Sequence, residues 1–149
     1  MKSSGSAAPV DSPAKLVVVI DDDPMALDAI GRLLRSWRYR VVTADSDHAA
    51  LACLAERQQS PDLIVCDYHL SEGTTGVEAI ERVRNSARIP AILVTGDALC
   101  GRRDEVRALG CHVLLKPVNP NALRAVLKQA LKHGPRRTTD DGRRTTDNC

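Results

Sequence analysis

Apolar and polar positions follow two periods along this chain, and the change from one to the other recurs five times. Leu16-Val-Val-Val-Ile20 is apolar at consecutive positions, as a strand covered on both faces must be. Asp23 then precedes Pro24, an N-cap with proline at the first helical position, and Leu27, Ile30, Leu34 and Trp37 recur at helical spacing. Arg40–Ala44, with Val41, Val42 and Thr43, predicts a second strand. A helix follows from about Ser46 or Asp47, with Ala50, Leu51 and Leu54 on one face, and Ser60-Pro61 ends it. The third strand is predicted over Asp62–Asp67, followed by the loop His69-Leu-Ser-Glu-Gly-Thr-Thr-Gly76 and a helix with Val77, Ile80 and Val83 inward. Pro90–Thr95 predicts a fourth strand and His112–Lys116 a fifth. Between them a helix over about Ala98–Leu109 has only Leu99, Val106 and Leu109 as apolar anchors, which makes it a candidate moving part. Asn119-Pro120 caps a last helix striped by Leu123, Val126, Leu127, Ala130 and Leu131.

Five strand–helix pairs, β1 to β5 and α1 to α5 in chain order, predict an α/β fold: a parallel sheet with helices on both faces and right-handed crossovers. The 149 residues are expected to form one domain over 15–132. Residues 1–14, rich in Ser, Ala, Pro and Gly, are expected to be a flexible arm. In the tail, 133–149, Arg136-Arg-Thr-Thr-Asp140 returns as Arg143-Arg-Thr-Thr-Asp147 without apolar residues, and disorder is expected there.

Composition removes several classes of function. Twenty-one Lys and Arg against 19 Asp and Glu leave a net charge of +2, no basis for binding nucleic acid or an anionic membrane. With no Phe, one Trp and two Tyr there is no base-stacking platform. The five cysteines form no CxxC pair and are odd in number, so they predict neither zinc nor a disulfide framework. They read as small buried side chains in a reducing compartment. No apolar stretch has the length of a signal peptide core or a membrane span, and a cytoplasmic location is expected.

The polar residues at strand ends carry the chemistry. Asp21, Asp22 and Asp23 close β1 and Asp67 closes β3. In a parallel sheet those ends lie along one edge, where open α/β sheets bind ligands. Carboxylates gathered there need raised pKa values or a hard divalent cation, and oxygen-only ligands suit Mg²⁺. Thr95 from β4 and Lys116 from β5 join them at the same edge. A carboxylate nucleophile, a metal, a cation and a hydroxyl are what phosphoryl transfer requires.

Four separated motifs, Val-Ile-Asp21-Asp22-Asp23-Pro, Ile-Val-Cys-Asp67-Tyr, Leu-Val-Thr95-Gly and Leu-Leu-Lys116-Pro117, each fall at a strand end. Over about residues 15–132 the chain thereby resembles the receiver domain of bacterial two-component response regulators. The resemblance implies a flavodoxin-like, doubly wound (βα)5 fold with strand order 2-1-3-4-5. It implies that Asp67 is the phosphoacceptor and that Asp22 binds Mg²⁺ directly, with Asp21 reaching the metal mainly through water. The backbone carbonyl of His69 would be a further ligand. Lys116 would bind a phosphoryl oxygen, Thr95 would swing onto the phosphoryl group as the switch, and Pro117 would follow a cis peptide bond that places Lys116 inward. The donor would be a sensor histidine kinase or a histidine phosphotransfer protein. The α4-β5-α5 face would be the docking surface for a downstream protein or the contact of a homodimer.

Asp23 reads as an ordinary helix cap, and His48, His112 and His133 form no constellation. Some positions depart from the family pattern. Val113 stands where an aromatic usually rotates with the threonine, Ser71 stands where many receivers have proline, and Asp97 lies two residues beyond Thr95. Only 17 residues, 133–149, follow α5, too few for an output domain, so output by protein contact is expected. Val113, the Tyr68-His69-Leu70 loop and the Leu-Leu-Lys-Pro-Val run look similar to receivers of hybrid sensor kinases. Apart from its own aspartyl phosphorylation and dephosphorylation, no enzymatic turnover is expected. Two alternatives share parts of this pattern: a receiver-like docking module that works without phosphorylation, and an aspartate-nucleophile phosphatase of the haloacid dehalogenase type. The latter needs Asp-x-Asp followed by Thr or Val, whereas Asp21-x-Asp23 is followed by Pro24-Met25.

Overall fold

In the computed structural model, which describes residues 14–70, 73–85, 87–96 and 103–133, the strands are β1 (Leu16–Ile20), β2 (Arg40–Ala44), β3 (Leu63–Asp67), β4 (Ala91–Thr95) and β5 (His112–Leu115). They alternate with α1 (Pro24–Ser36), α2 (Asp47–Arg57), α3 (Gly76–Arg84), α4 (Arg103–Leu109) and α5 (Pro120–His133). All pairings are parallel, in the spatial order β2-β1-β3-β4-β5. The five-stranded 2-1-3-4-5 arrangement expected from the sequence is therefore present.

The apolar runs of β1, β3 and β4 are fully buried because both faces of the sheet are covered. Side chains alternate between two cores. Leu16, Val18, Ile20, Ile64, Cys66 and Leu93 face α2, α3 and α4, whereas Val17, Val19, Leu63, Val65, Ile92 and Val94 face α1 and α5. A one-residue slip of any central strand would exchange the two sets, so the register is tightly specified. β5, at the sheet edge, is covered on one side only: His112 and Leu114 are buried, while Val113 and Leu115 are 41% and 54% exposed.

Local signals fix the helix starts. The Asp23 carboxylate accepts from the Met25 amide at 3.0 Å, Ser46 accepts from Ala49 at 3.1 Å, and Asn119 accepts from Asn121 at 2.8 Å and Ala122 at 3.1 Å. Asp23 is thus the cap its position before Pro24 predicts. Thr75 and Glu78 form a reciprocal capping box at α3.

Some boundaries differ from the sequence reading. Asp62 is outside β3: its carboxylate accepts from the Leu16 amide and its own amide donates to the Leu16 carbonyl, both at 2.7 Å, so it fastens the start of β1. Pro90 precedes β4 and Lys116 lies just beyond β5, although the Lys116 amide still donates to the Thr95 carbonyl at 2.8 Å. The Lys116-Pro117 peptide bond is cis, as expected. Residues 1–13, the repeated tail, Ser71, Asp97, Cys100, Cys149 and the predicted beginning of α4 at Ala98 lie outside the described residues. Ala14 is tied in, its carbonyl accepting from Arg40 Nε at 3.0 Å. Among the described residues no helix is long and apolar enough to cross a membrane.

Candidate functional site

The chain order makes a crevice at one place on this sheet. After β1 it moves outward to β2, then returns past β1 to β3, so the connections leaving β1 and β3 diverge to opposite faces. The β1–β3 register pairs Ile20 with Cys66, and extending it by one residue puts Asp21 beside Asp67. The Asp21 amide donates to the Ala44 carbonyl at 3.1 Å, which continues the β1–β2 ladder and fixes Asp21 at the strand end. Asp67 is held on its other side by β4, where it pairs with Val94 and the Tyr68 amide donates to the Val94 carbonyl at 2.8 Å.

Asp21, Asp22 and Asp67 each offer a carboxylate oxygen, and these atoms lie within 4.8 Å of one another. Asp21 and Asp67 are buried and Asp22 is exposed, so the cluster opens to solvent on the Asp22 side. Lys116 reaches in from beyond β5 and places Nζ 3.0 Å from Asp67 Oδ1. Thr95, fully buried at the end of β4, is joined to Lys116 by the backbone hydrogen bond between them. The five side chains expected at this edge stand at three adjoining strand ends and one strand's continuation.

Burial raises the Asp21 carboxyl above its ordinary value of 3.8; the Asp23 amide, donating to Asp21 Oδ1 at 2.9 Å, pulls it down, the Asp67 charge pushes it up, and Lys116 and Asp22 act in opposite senses. Burial works to lower Lys116, but the hydrogen bond and charge of Asp67, with Asp21 and Asp22 behind, raise it above 10.5. The Lys116 ammonium lies against this group of three carboxylates. The donor set is all oxygen, which fits a hard divalent cation such as Mg²⁺.

The loop after Asp67 is folded back on itself. His69 and Thr75 face each other across an antiparallel bridge, closed by Leu70 N donating to the Thr74 carbonyl at 3.1 Å and Gly76 N donating to the Tyr68 carbonyl at 2.6 Å. Neither bond uses the carbonyl of His69, so closing the loop does not engage the group expected to be a metal ligand. The Tyr68 ring is buried and meets the His69 ring edge-on, with centroids 4.8 Å apart. These contacts tie together the described parts of the loop on either side.

Several supporting residues had no assigned part in the sequence reading. Gly76 is one: a Cβ there would run into the Asp67 carbonyl, Leu93 Cδ1 and Tyr68 Cα, so only glycine lets α3 start this close to the end of β3. The Asp23 amide that orients Asp21 is another. The Thr75-x-x-Glu78 spacing that stops the loop was readable as a capping box. Spacing gave no sign of Gly76, whose role depends on a three-dimensional contact.

The response regulator receiver domain model matches residues 17–128. The chain is 34% identical over 120 residues to the two-component response regulator ORR3 of Oryza sativa subsp. indica, covering 78% of this chain and 90% of that protein. It is 32% identical over 130 residues to the transcriptional regulatory protein AfsQ1 of Streptomyces coelicolor, covering 83% of this chain and 54% of the other. Relatives thus come from plants and bacteria. The chain spans only 19% and 22% of the length of two Arabidopsis thaliana response regulators that it matches, ARR21 and ARR11. Among solved structures, a CheY-like receiver domain protein from Methanospirillum hungatei JF-1 superposes with a TM-score of 0.71 at 26% identity, covering 80% of this chain and 94% of that one. Chemotaxis protein CheY4 of Vibrio cholerae gives 0.70 at 26% identity over 78% and 98%. Receiver domains are signalling modules that exchange phosphoryl groups with histidine kinases or phosphotransfer proteins and generally bind Mg²⁺. With this match over most of the folded chain and an acidic cluster at the expected sheet edge, the chain belongs to the response regulator receiver domain family.

Proposed function

We propose that this chain accepts a phosphoryl group on Asp67 from the phosphohistidine of a sensor histidine kinase or a histidine phosphotransfer protein. The observation that carries the reading is the gathering of Asp21, Asp22 and Asp67 within 4.8 Å of one another, with the Lys116 ammonium 3.0 Å from Asp67. A carboxylate oxygen of Asp67 attacks phosphorus, and a P–O bond forms as the P–N bond to the donor imidazole breaks. The electron pair returns to that nitrogen, and a ring protonated at its other nitrogen leaves neutral. Asp22, with Asp21 mainly through water, Asp67 and the His69 carbonyl would hold Mg²⁺. The ion supplies neutralising charge for the phosphoryl oxygens.

Lys116 already lies against Asp67 Oδ1 and transfers its hydrogen bond to an oxygen of the incoming group. Thr95 turns its hydroxyl to the same group and so carries the signal toward α4. The α4-β5-α5 face, where Val113 and Leu115 present apolar surface beside a short helix, docks a downstream protein or a second copy of the chain. With valine at 113, Thr95 and α4 carry the conformational change without an aromatic rotation.

The test is intact-protein mass spectrometry after incubation with acetyl phosphate and Mg²⁺, on wild type and Asp67→Ala, with EDTA as control. One added phosphoryl group is expected on wild type, lost in the variant and without metal. Undiminished labelling of Asp67→Ala would overturn the assignment. So would folded wild type that takes no label from acetyl phosphate or from a phosphorylated histidine kinase.

A further inference from the structure

Arg84, the last residue of α3, is a cation remote from the acidic cluster, and its guanidinium is committed to backbone. Nε donates to the Ile89 carbonyl at 2.7 Å and Nη1 to the Leu109 carbonyl at 2.6 Å. Nη2 is buried and has no hydrogen-bond partner among the described residues. Burial lowers the Arg84 pKa, opposed by the nearby Cys111, yet an arginine keeps its charge at neutral pH.

The two acceptors belong to different elements. Ile89 lies just ahead of β4, whose far end is Thr95. Leu109 is the last residue of α4, so its carbonyl is one that the helix leaves without an internal donor, at the negative end of the helix dipole. A helix of seven residues does not hold itself in water. Its buried side chains are Val106 and Leu109, in the core that also contains Val83, Ile89 and Cys111, while Asp104 and Glu105 in its first turn are exposed. Since α4 runs antiparallel to β4, its first turn lies toward the Thr95 end and its last residue toward Ile89.

We propose that Arg84 is a positioning residue for α4, holding its C-terminal end against α3 and the base of β4, so that a change at Thr95 turns the helix about Leu109 instead of displacing it whole. The turning rests on the phosphoacceptor reading; the anchor stands without it. Arg84 is the pivot and the first turn of α4 is the arm that swings.

Hydrogen–deuterium exchange of the full chain separates the two parts, with Arg84→Met and Arg84→Lys compared to wild type and rates referred to the amides of β1 as a measure of global opening. Without phosphodonor, Arg84→Met should exchange the amides of residues 107–110 about ten-fold faster than wild type, the loss expected for a charge-assisted hydrogen bond. Arg84→Lys, which keeps a charge but cannot bridge both carbonyls, should fall between. If Arg84→Met does not fold, the lysine variant decides. Rates at 107–110 equal to wild type in a folded variant would overturn the anchor. With acetyl phosphate and Mg²⁺, wild type should change exchange at 103–106 and not at 107–110, and the change should spread to 107–110 in the variants. A uniform change through 103–110 in wild type would overturn the pivot. Absence of a phosphoryl adduct in the same samples would count against the phosphoacceptor reading, while the donor-free arm would still decide the anchor.

Discussion

Asp21 and Asp47 are both buried carboxylates just beyond neighbouring strands, 3% and 2% exposed, yet their chemistry diverges. Asp47, at the start of α2, feels burial pushing its carboxyl up, but the Arg82 hydrogen bond at 2.9 Å, the charges of His48 and Arg82 and a backbone hydrogen bond outweigh it, and its pKa is lowered. At Asp21 burial, with the Asp67 charge behind it, outweighs the Asp23 amide and a lysine already engaged by Asp67, and its pKa is raised. One carboxylate has its own cation and serves structure. The other has burial and a neighbouring carboxylate raising it, a setting that a hard divalent cation would relieve.

The largest effect should come from the glycine that fits α3 against the end of β3. Gly76→Ala forces a Cβ into the Asp67 carbonyl, Leu93 and Tyr68, and overpacking of this kind costs about 2 kcal/mol. Urea unfolding should show that loss, and labelling of Asp67 should fall as well because the strand end is displaced. Unchanged stability with unchanged labelling would mean that the loop absorbs the methyl group. Asp47→Asn should cost less, about 1 kcal/mol, since a hydrogen bond to a charged group is lost but Arg82 is half in solvent. Labelling should be intact. A variant that lost labelling at full stability would erase the distinction between the two regions.

The distinction also predicts a pH dependence. Because the folded pKa of Asp47 is lowered, its contribution is fully present above the ordinary value of 3.8 and is lost as pH falls through the folded value. The stability gap between wild type and Asp47→Asn should therefore be constant near neutrality and close only below about pH 4. A gap that closed between pH 5 and 7 would show that another group controls the pair.

Periodicity carried the fold well because both faces of β1, β3 and β4 are covered, so their apolar runs stand out from the helical stripes. The candidate site was legible for a related reason: Asp21, Asp22, Asp67 and Thr95 stand at or just past the ends of such runs, Lys116 just past the edge strand, and a parallel sheet brings those ends together. Asp47 and Arg82 were not legible as a pair. They are 35 positions apart, on different helices that only the tertiary fold brings together, and each looks like an ordinary surface charge. Arg84 was hidden similarly, since its partners are backbone carbonyls that no side-chain pattern reveals. Asp62 failed in the other direction: it extends an apolar run, yet its carboxylate serves β1.

The smallest effect has the opposite sign and bears most directly on the comparison. With its folded pKa raised, ionised Asp21 subtracts stability above the ordinary value of 3.8, and the deficit is complete once pH exceeds the folded value. Asp21→Asn removes that deficit while keeping an oxygen to accept from the Asp23 amide. In EDTA at pH 7 the variant should melt slightly above wild type, and at pH 3 the two should coincide. Added Mg²⁺ should reverse the order, because a cation that binds only the folded state stabilises wild type in proportion to its occupancy and the variant has lost a carboxylate that would hold it. Thermal melts of both proteins with and without Mg²⁺ would check this. A variant less stable than wild type in EDTA would mean that Asp21, like Asp47, is already satisfied by its neighbours.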